Sequence, residues 1–146
     1  MDEVTFGVFL NHPCAKMLTK ANPTDAGWDI TCVEAIDLAP GERKAVSTGI
    51  HLKLQPGWEC QMRARSGHAA KLGLSLVNGI GTIDADYTGE CKAILINTSK
   101  YPIFLPVGSK VAQLVFKRVP SIKLEQLTEM PTNESRGSKG FGSSGL

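Results

Sequence analysis

Turn signals cut this chain into short apolar runs, and that interruption constrains its fold more than any other feature. Pro40-Gly41, Pro56-Gly57, Asn78-Gly79 and the region from Pro102 to Gly108 are the punctuation. Between them the residue pattern has the two-residue period of a strand. In Trp58-Glu59-Cys60-Gln61-Met62-Arg63-Ala64-Arg65 the alternation puts Trp58, Cys60, Met62 and Ala64 on one face and Arg63 and Arg65 on the other. Ala45 to Leu54, Leu74 to Val77, Cys91 to Asn97, Lys110 to Val119 and Ile122 to Leu127 are further β-type runs. One short helix is expected, with Ser66 capping His68-Ala69-Ala70-Lys71-Leu72 and Gly73 ending it. Many short strands and one helix predict a single all-β domain, a sandwich, jelly roll or barrel.

At 146 residues the chain is long enough to bury a real core without a disulfide framework. Its four cysteines, Cys14, Cys32, Cys60 and Cys91, contain no C-x-x-C pair, and its three histidines are equally scattered. Reduced, mostly buried thiols are therefore expected rather than zinc ligands. A net charge of +2 argues against a nucleic-acid partner, so any anion must be met by locally placed Arg and Lys. With no basic leader, no signal-type apolar segment and no stretch near the length of a membrane span, the expectation is a soluble intracellular protein without a membrane partner. Asn97 and Asn133 begin N-x-S/T sequons, which such a protein would not use.

From Thr128 onward the composition changes. Apolar residues nearly vanish, and Arg136-Gly137-Ser138-Lys139-Gly140-Phe141-Gly142-Ser143-Ser144-Gly145 cannot bury a core. The division expected is a β core over 1–127 and a flexible Gly/Ser-rich arm over 128–146. A floppy tail is the plain reading. Yet two cations and one isolated aromatic among glycines suit closure over a phosphorylated ligand. The glycines let backbone N–H groups approach phosphate oxygens, Arg136 offers a charged fork, and Phe141 offers a ring to stack on a base. The formal Gly140-x-Gly142-x-x-Gly145 fingerprint is accidental, because no strand precedes it and no helix can follow.

Two internal segments also carry chemistry. Arg65-Ser66-Gly67 stands where a strand becomes a helix, a junction that offers free N–H groups to an anion, although an ordinary cap beside a solvated Arg accounts for it alone. In Asn78-Gly79-Ile80-Gly81-Thr82-Ile83-Asp84-Ala85-Asp86-Tyr87-Thr88-Gly89 the glycines suggest a tight β-turn against which a flat base could lie. Asp84 and Asp86, two apart, would share a face in a strand. Such a pair could include a water-activating base or be solvated turn acids.

Taken together these segments resemble the trimeric dUTPase family over nearly the whole chain, with all five family motifs in order. They are Ala26-Gly27-Trp28-Asp29-Ile30, Arg65-Ser66-Gly67, Asn78 to Glu90, Gly108-Ser109-Lys110-Val111-Ala112-Gln113-Leu114, and the glycine-rich run from Arg136. The resemblance implies a distorted jelly-roll barrel that forms a homotrimer, with active sites at subunit interfaces and the arm of one chain covering a site built by others. It implies hydrolysis of dUTP to dUMP and pyrophosphate. Asp84 would be the base for the water attacking the α-phosphorus. Tyr87 would lie under the deoxyribose and leave no room for a 2′-hydroxyl. Asn78 and the backbone from Gly79 to Gly81, followed by Thr82 and Ile83, would line the uracil site. Ser66 and Gly67 would contact the phosphate chain, supported by Arg65 and Gln113. Arg136, Ser143 and Ser144 would hold the γ-phosphate, with Phe141 and Gly142 over the uracil. Mg²⁺ would be carried mainly by phosphate oxygens and waters, with Asp29 near it through water or merely bracing the site.

The chain departs from the usual family pattern at several positions. Trp28, Ala64, His68 and Ser144 look like packing changes. Ser109 stands where an acidic residue is usual, and its presence removes a salt bridge expected to steady the fourth motif. Two rival functions remain open from the residues. A dCTP deaminase shares the fold, but typically continues Ile-Asp with Pro-Gly-Phe and lacks this arm. A non-catalytic regulatory module would tolerate loss of Asp84 or Arg136, and both are present.

Overall fold

Turn chemistry decides where each strand stops. The computed structural model describes residues 2–132 and 135–145. In chain order the described elements are β1 (Gly7–Leu10), β2 (Trp28–Thr31), β3 (Ile36–Leu38), β4 (Arg43–Val46), β5 (Ile50–Lys53), β6 (Trp58–Arg63), α1 (Ser66–Leu72), β7 (Leu74–Leu76), β8 (Gly81–Ile83), β9 (Ala93–Asn97), β10 (Ile103–Leu105) and β11 (Lys110–Arg118). The fold is an all-β jelly-roll barrel with one short helix. Its largest sheet has the order β2-β11-β6-β8 and faces a three-stranded sheet, β4-β9-β7, while β1-β5 and β10-β3 form two-stranded ribbons. Every pairing is antiparallel.

Alternation puts the core together. Cys60 and Met62 of β6, Ala93 and Leu95 of β9, and Leu114 of β11 all point inward, joined by Ile30, Ile36, Leu38, Val46, Ile50 and Leu74. Among the described residues two polar side chains are wholly buried, and both are satisfied. Thr48 donates to Cys91 O at 2.5 Å and accepts from the Ile50 N–H. Asn97 donates to Leu38 O and Tyr101 O, and its Oδ1 accepts from the N–H and hydroxyl of Ser99. Asn97 is thus a core strut and not a glycosylation site; Asn133 lies outside the described residues. Cys32, Cys60 and Cys91 are buried free thiols and Cys14 is exposed. Burial, with the Cys91 and Glu59 charges adding to it, pushes the Cys60 thiol up to about 12. Burial and Glu90 push Cys91 up to about 11, so both stay protonated and unreactive at neutral pH.

The structure corrects four local expectations. The run from Ala45 to Leu54 is two strands in different sheets. Gly49, at φ +68°, breaks it, and a β-carbon there would stand 2.8 Å from Ala15 Cβ. Ile122 to Leu127 is not a strand, because no described strand pairs with it, and its Ile122, Leu124 and Leu127 are exposed. Ser66 does not cap the helix but begins it. Arg65 holds the cap position in extended conformation, with no side-chain cap bond, while Gly73 ends the helix at φ +69° as expected. Asp84 and Asp86 do not share a strand face: β8 ends at Ile83, and the Tyr87 N–H closes a turn onto Asp84 O.

Candidate active site

A cleft of about 690 Å³ opens between the two large sheets, and most of one wall comes from β8 and the turn after it. Gly81, Thr82 and Ile83 continue into the Asp84 turn, and Asn78 and Tyr87 close the two sides. Pairing of β8 with β6 sets this wall: Gly81 lies opposite Met62, and a β-carbon on Gly81 would stand 3.2 Å from Met62 Cβ. The Asn78-Gly79 turn, with Gly79 at φ +73°, is tight, but it does not close a hairpin. Its flanking strands, β7 and β8, pair with β9 and β6 instead, so the turn bridges the two sheets and overhangs the cleft. Asp84 is exposed and lines the cleft, whereas Asp86 does not.

The far end of this wall is clamped. The Tyr87 hydroxyl donates to Glu90 O at 2.9 Å. The Glu90 carboxylate accepts the Thr48 and Gly49 N–H groups at 3.1 and 2.8 Å. His51 Nδ1 lies 2.9 Å from Thr88 O. Glu90 and Gly89 were marked only as members of the third motif, and His51 only as one of three scattered histidines. The only local signal was their place in or opposite the third motif, since partners forty residues apart leave no periodic trace.

A second, cationic cluster sits across β2, β11 and β6. Register places Gln113 beside both Asp29 and Arg63. A bulge between Lys110 and Ala112 turns Lys110 toward Asp29. The Asp29 carboxylate, 18% exposed, therefore meets Lys110 Nζ at 3.1 Å and Arg65 Nε at 3.5 Å. Gln113 donates to Ala64 O at 3.1 Å and packs against Gly27, where a β-carbon would collide with its amide. It thereby pins the backbone just before Arg65. His68 Nε2 lies 3.3 Å from Arg65 Nη1, and burial, then the Arg65 charge, lowers the imidazole below its ordinary range. Its Nδ1 is buried without a partner. Ser109 binds Pro106 O through its hydroxyl at 2.6 Å, and the acid that the fourth motif usually carries there is replaced by this local turn bond. Among the described residues no three His, Cys, Asp or Glu side chains converge to hold a metal.

The other residues expected at the site lie apart from the cleft in the single chain. Ser66 and Gly67 are exposed at the start of α1, beside Arg65 and outside the cleft lining. Arg136 Nε donates to Lys139 O, Phe141 is fully exposed at φ +51°, and Gly142 has φ +87°. Neither they nor Ser143 and Ser144 line the cleft.

The family model for dUTPase matches residues 14–145. The deoxyuridine 5'-triphosphate nucleotidohydrolase of Cutibacterium acnes is 44% identical over 127 residues, 86% of this chain and 83% of that protein. That of Nocardia farcinica is 48% identical over 131 residues, 87% of this chain and 77% of that protein. Among solved structures, the Staphylococcus bacteriophage 80alpha dUTPase with dUPNHPP superposes with a TM-score of 0.90 at 28% identity, covering 97% of this chain and 99% of that one. A dUTPase of Staphylococcus aureus phage phi11, described with a structural Mg(II) ion, matches with a TM-score of 0.81 at 25% identity over 88% of this chain and all of that one.

Proposed function

The chain belongs to the dUTPase family, and from that we propose that it hydrolyses dUTP to dUMP and pyrophosphate inside the cell. The observation that carries the reading is the Asp84 carboxylate at the edge of a cleft framed by Asn78, Gly81 and Tyr87. Asp84 acts as general base on the water that attacks the α-phosphorus, a role worth about 10²–10⁴-fold in rate. The overhanging turn from Asn78 through Gly81, with Thr82 and Ile83, presents backbone and amide groups to uracil. A methyl at C5 or an amino group at C4 finds no matching space or partner there. The Tyr87 ring takes the sugar and excludes a 2′-hydroxyl.

The phosphates lie toward Arg65, Ser66 and Gly67. Asp29, His68 and Gln113 support this edge: two of them touch the Arg65 guanidinium and the third pins Ala64. The donors present suit a Mg²⁺ ion carried on the triphosphate itself, which Asp29, already neutralised by Lys110 and Arg65, would hold through water. Bound there, Mg²⁺ would supply charge neutralisation for the leaving pyrophosphate.

The core over 1–127 and the arm over 128–146 act from different chains of a homotrimer. Two features support this. The residues for base, phosphate and γ-phosphate fall into three separate groups on one chain. The arm's Phe141 and the apolar Ile122, Leu124 and Leu127 have no cover of their own. Arg136, Ser143 and Ser144 then hold the γ-phosphate while Phe141 and Gly142 cover the base of a neighbouring site. The dCTP-deaminase alternative is not favoured, since the family match and the relatives' names all fall on dUTPase.

The test is pyrophosphate release from dUTP, dCTP, dTTP and UTP with Mg²⁺, run beside an ammonia assay. Release from dUTP alone is expected. Ammonia from dCTP would select the deaminase, and no turnover by a folded protein would select a binding module.

A further inference from the structure

The Tyr87 ring lies folded back against its own main chain, and the residue it lies on is Gly89. A β-carbon built at Gly89 would stand 2.6 Å from the Tyr87 hydroxyl oxygen, 2.7 Å from Cζ and 3.0 Å from Cε2. The first two are separations that real β-carbons essentially never adopt. Gly89 is not among the positive-φ glycines, so its backbone suits any residue. What demands glycine is therefore the ring above it. The hydroxyl bond to Glu90 O holds the ring there, and the main chain around it is fixed by the Glu90 carboxylate on the Thr48-Gly49 amides and by His51 at Thr88 O. Tyr87, 47% exposed, lines the cleft.

We propose that Gly89 is a specificity-determining positioning residue: by lacking a side chain it lets the Tyr87 ring lie back, and the height of that ring sets the room left for the sugar. The inference rests on the dUTPase reading and on Tyr87 meeting the deoxyribose. A methyl at position 89 lifts the ring, breaks its bond to Glu90 O and frees it to swing. The far end of a half-exposed tyrosine gives way cheaply, so selectivity suffers more than folding.

The experiment is a double-mutant cycle with Gly89→Ala, Tyr87→Ala and both together, reading the ratio of kcat/KM for dUTP over UTP, with circular dichroism and Tm as folding controls. Gly89→Ala is expected to lower that ratio at least about tenfold relative to wild type. In the Tyr87→Ala background, where no ring remains to displace, it is expected to change the ratio less than about twofold. Tyr87→Phe, which keeps the ring over Gly89 but loses its tether, should fall between wild type and Gly89→Ala. An unchanged ratio in Gly89→Ala, or an equal drop in both backgrounds, overturns the proposal. If Gly89→Ala fails to fold, folding of the double variant supports the same steric coupling, and failure of both overturns it. A wild-type protein that leaves dUTP intact refutes the functional reading instead, and is recognised before any variant is compared.

Discussion

Glycines crowd two regions of this molecule, the cleft wall around Gly81 and Gly89 and the arm from Arg136 to Gly145, under opposite physical conditions. On the cleft wall a β-carbon would run into Met62 Cβ at 3.2 Å or the Tyr87 hydroxyl at 2.6 Å. In the arm, one at Gly140 would come no nearer than 3.9 Å to an Arg136 nitrogen, and one at Gly145 would meet nothing within 4 Å. Glycine in the first region permits close packing, so the cleft is shaped in advance by strands that bury Cys60, Met62 and Ile83. In the second no such contact is met, and the hydrogen bonds described there, such as Arg136 to Lys139 O, are local. If the arm closes over a ligand as proposed, its order is gained at binding, whereas cleft order comes with folding.

That contrast predicts separable effects on chemistry and on stability. The largest is expected at the base. Asp84→Asn should lower turnover by about 10²-fold or more while titration with a non-hydrolysable dUTP analogue shows binding retained. Unaltered turnover would remove Asp84 from that role. Next, deleting Arg136 to Leu146 should cost roughly 10-fold to 10²-fold in turnover through lost positioning, with Tm and the mass by light scattering unchanged. A truncated chain that unfolds would show that the arm is structural, and the contrast would collapse.

A smaller effect, on stability alone, is expected in the core. Asn97→Ala removes the side-chain bonds to Leu38 O, Tyr101 O and the Ser99 N–H, leaving Tyr101 O only its bond from the Ser99 hydroxyl, and should cost about 1–3 kcal/mol in denaturant unfolding. Phe141→Ala, in contrast, should raise KM for dUTP and leave the unfolding midpoint where it was. A matching loss of stability in both would mean that the arm packs on its own core.

The smallest effect is electrostatic. His68 is held below its ordinary range by burial and then by Arg65, so the unfolded chain takes up the proton first. Its contribution is absent above the unfolded value of about 6.5. As pH falls through that value, the neutral imidazole costs stability, and the loss levels off once the folded protein also protonates. His68→Leu should flatten the stability profile in that window. Direct titration by NMR should find the midpoint below 6.5, and a midpoint above it would show that Arg65 does not face the ring.

How much of this was legible in the residues varies with the range of the interaction. The inward set of β6, the helix end at Gly73 and the tightness of the Asn78-Gly79 turn were legible, because each depends on neighbours a few positions away. The family motifs also marked Asp84 and Tyr87, both of which the structure places on one cleft. The break at Gly49 was not legible, because it is forced by Ala15 and His12 from a distant loop. Nor was the fate of Ile122 to Leu127, whose apolar residues alone do not supply a pairing strand.

By itself, then, the sequence determined that this chain is a punctuated β protein bearing the five motifs of its family, since strand period and turn type are local properties of the backbone. Only the tertiary structure decided that Lys110, Asp29 and Arg65 form one ion-paired edge, that Asp84 and not Asp86 faces the cleft, and that Gly89 underlies the Tyr87 ring. The reason is physical: each of these meetings is set by strand register, by a bulge or by where a turn closes, and such geometry exists only after distant segments have packed.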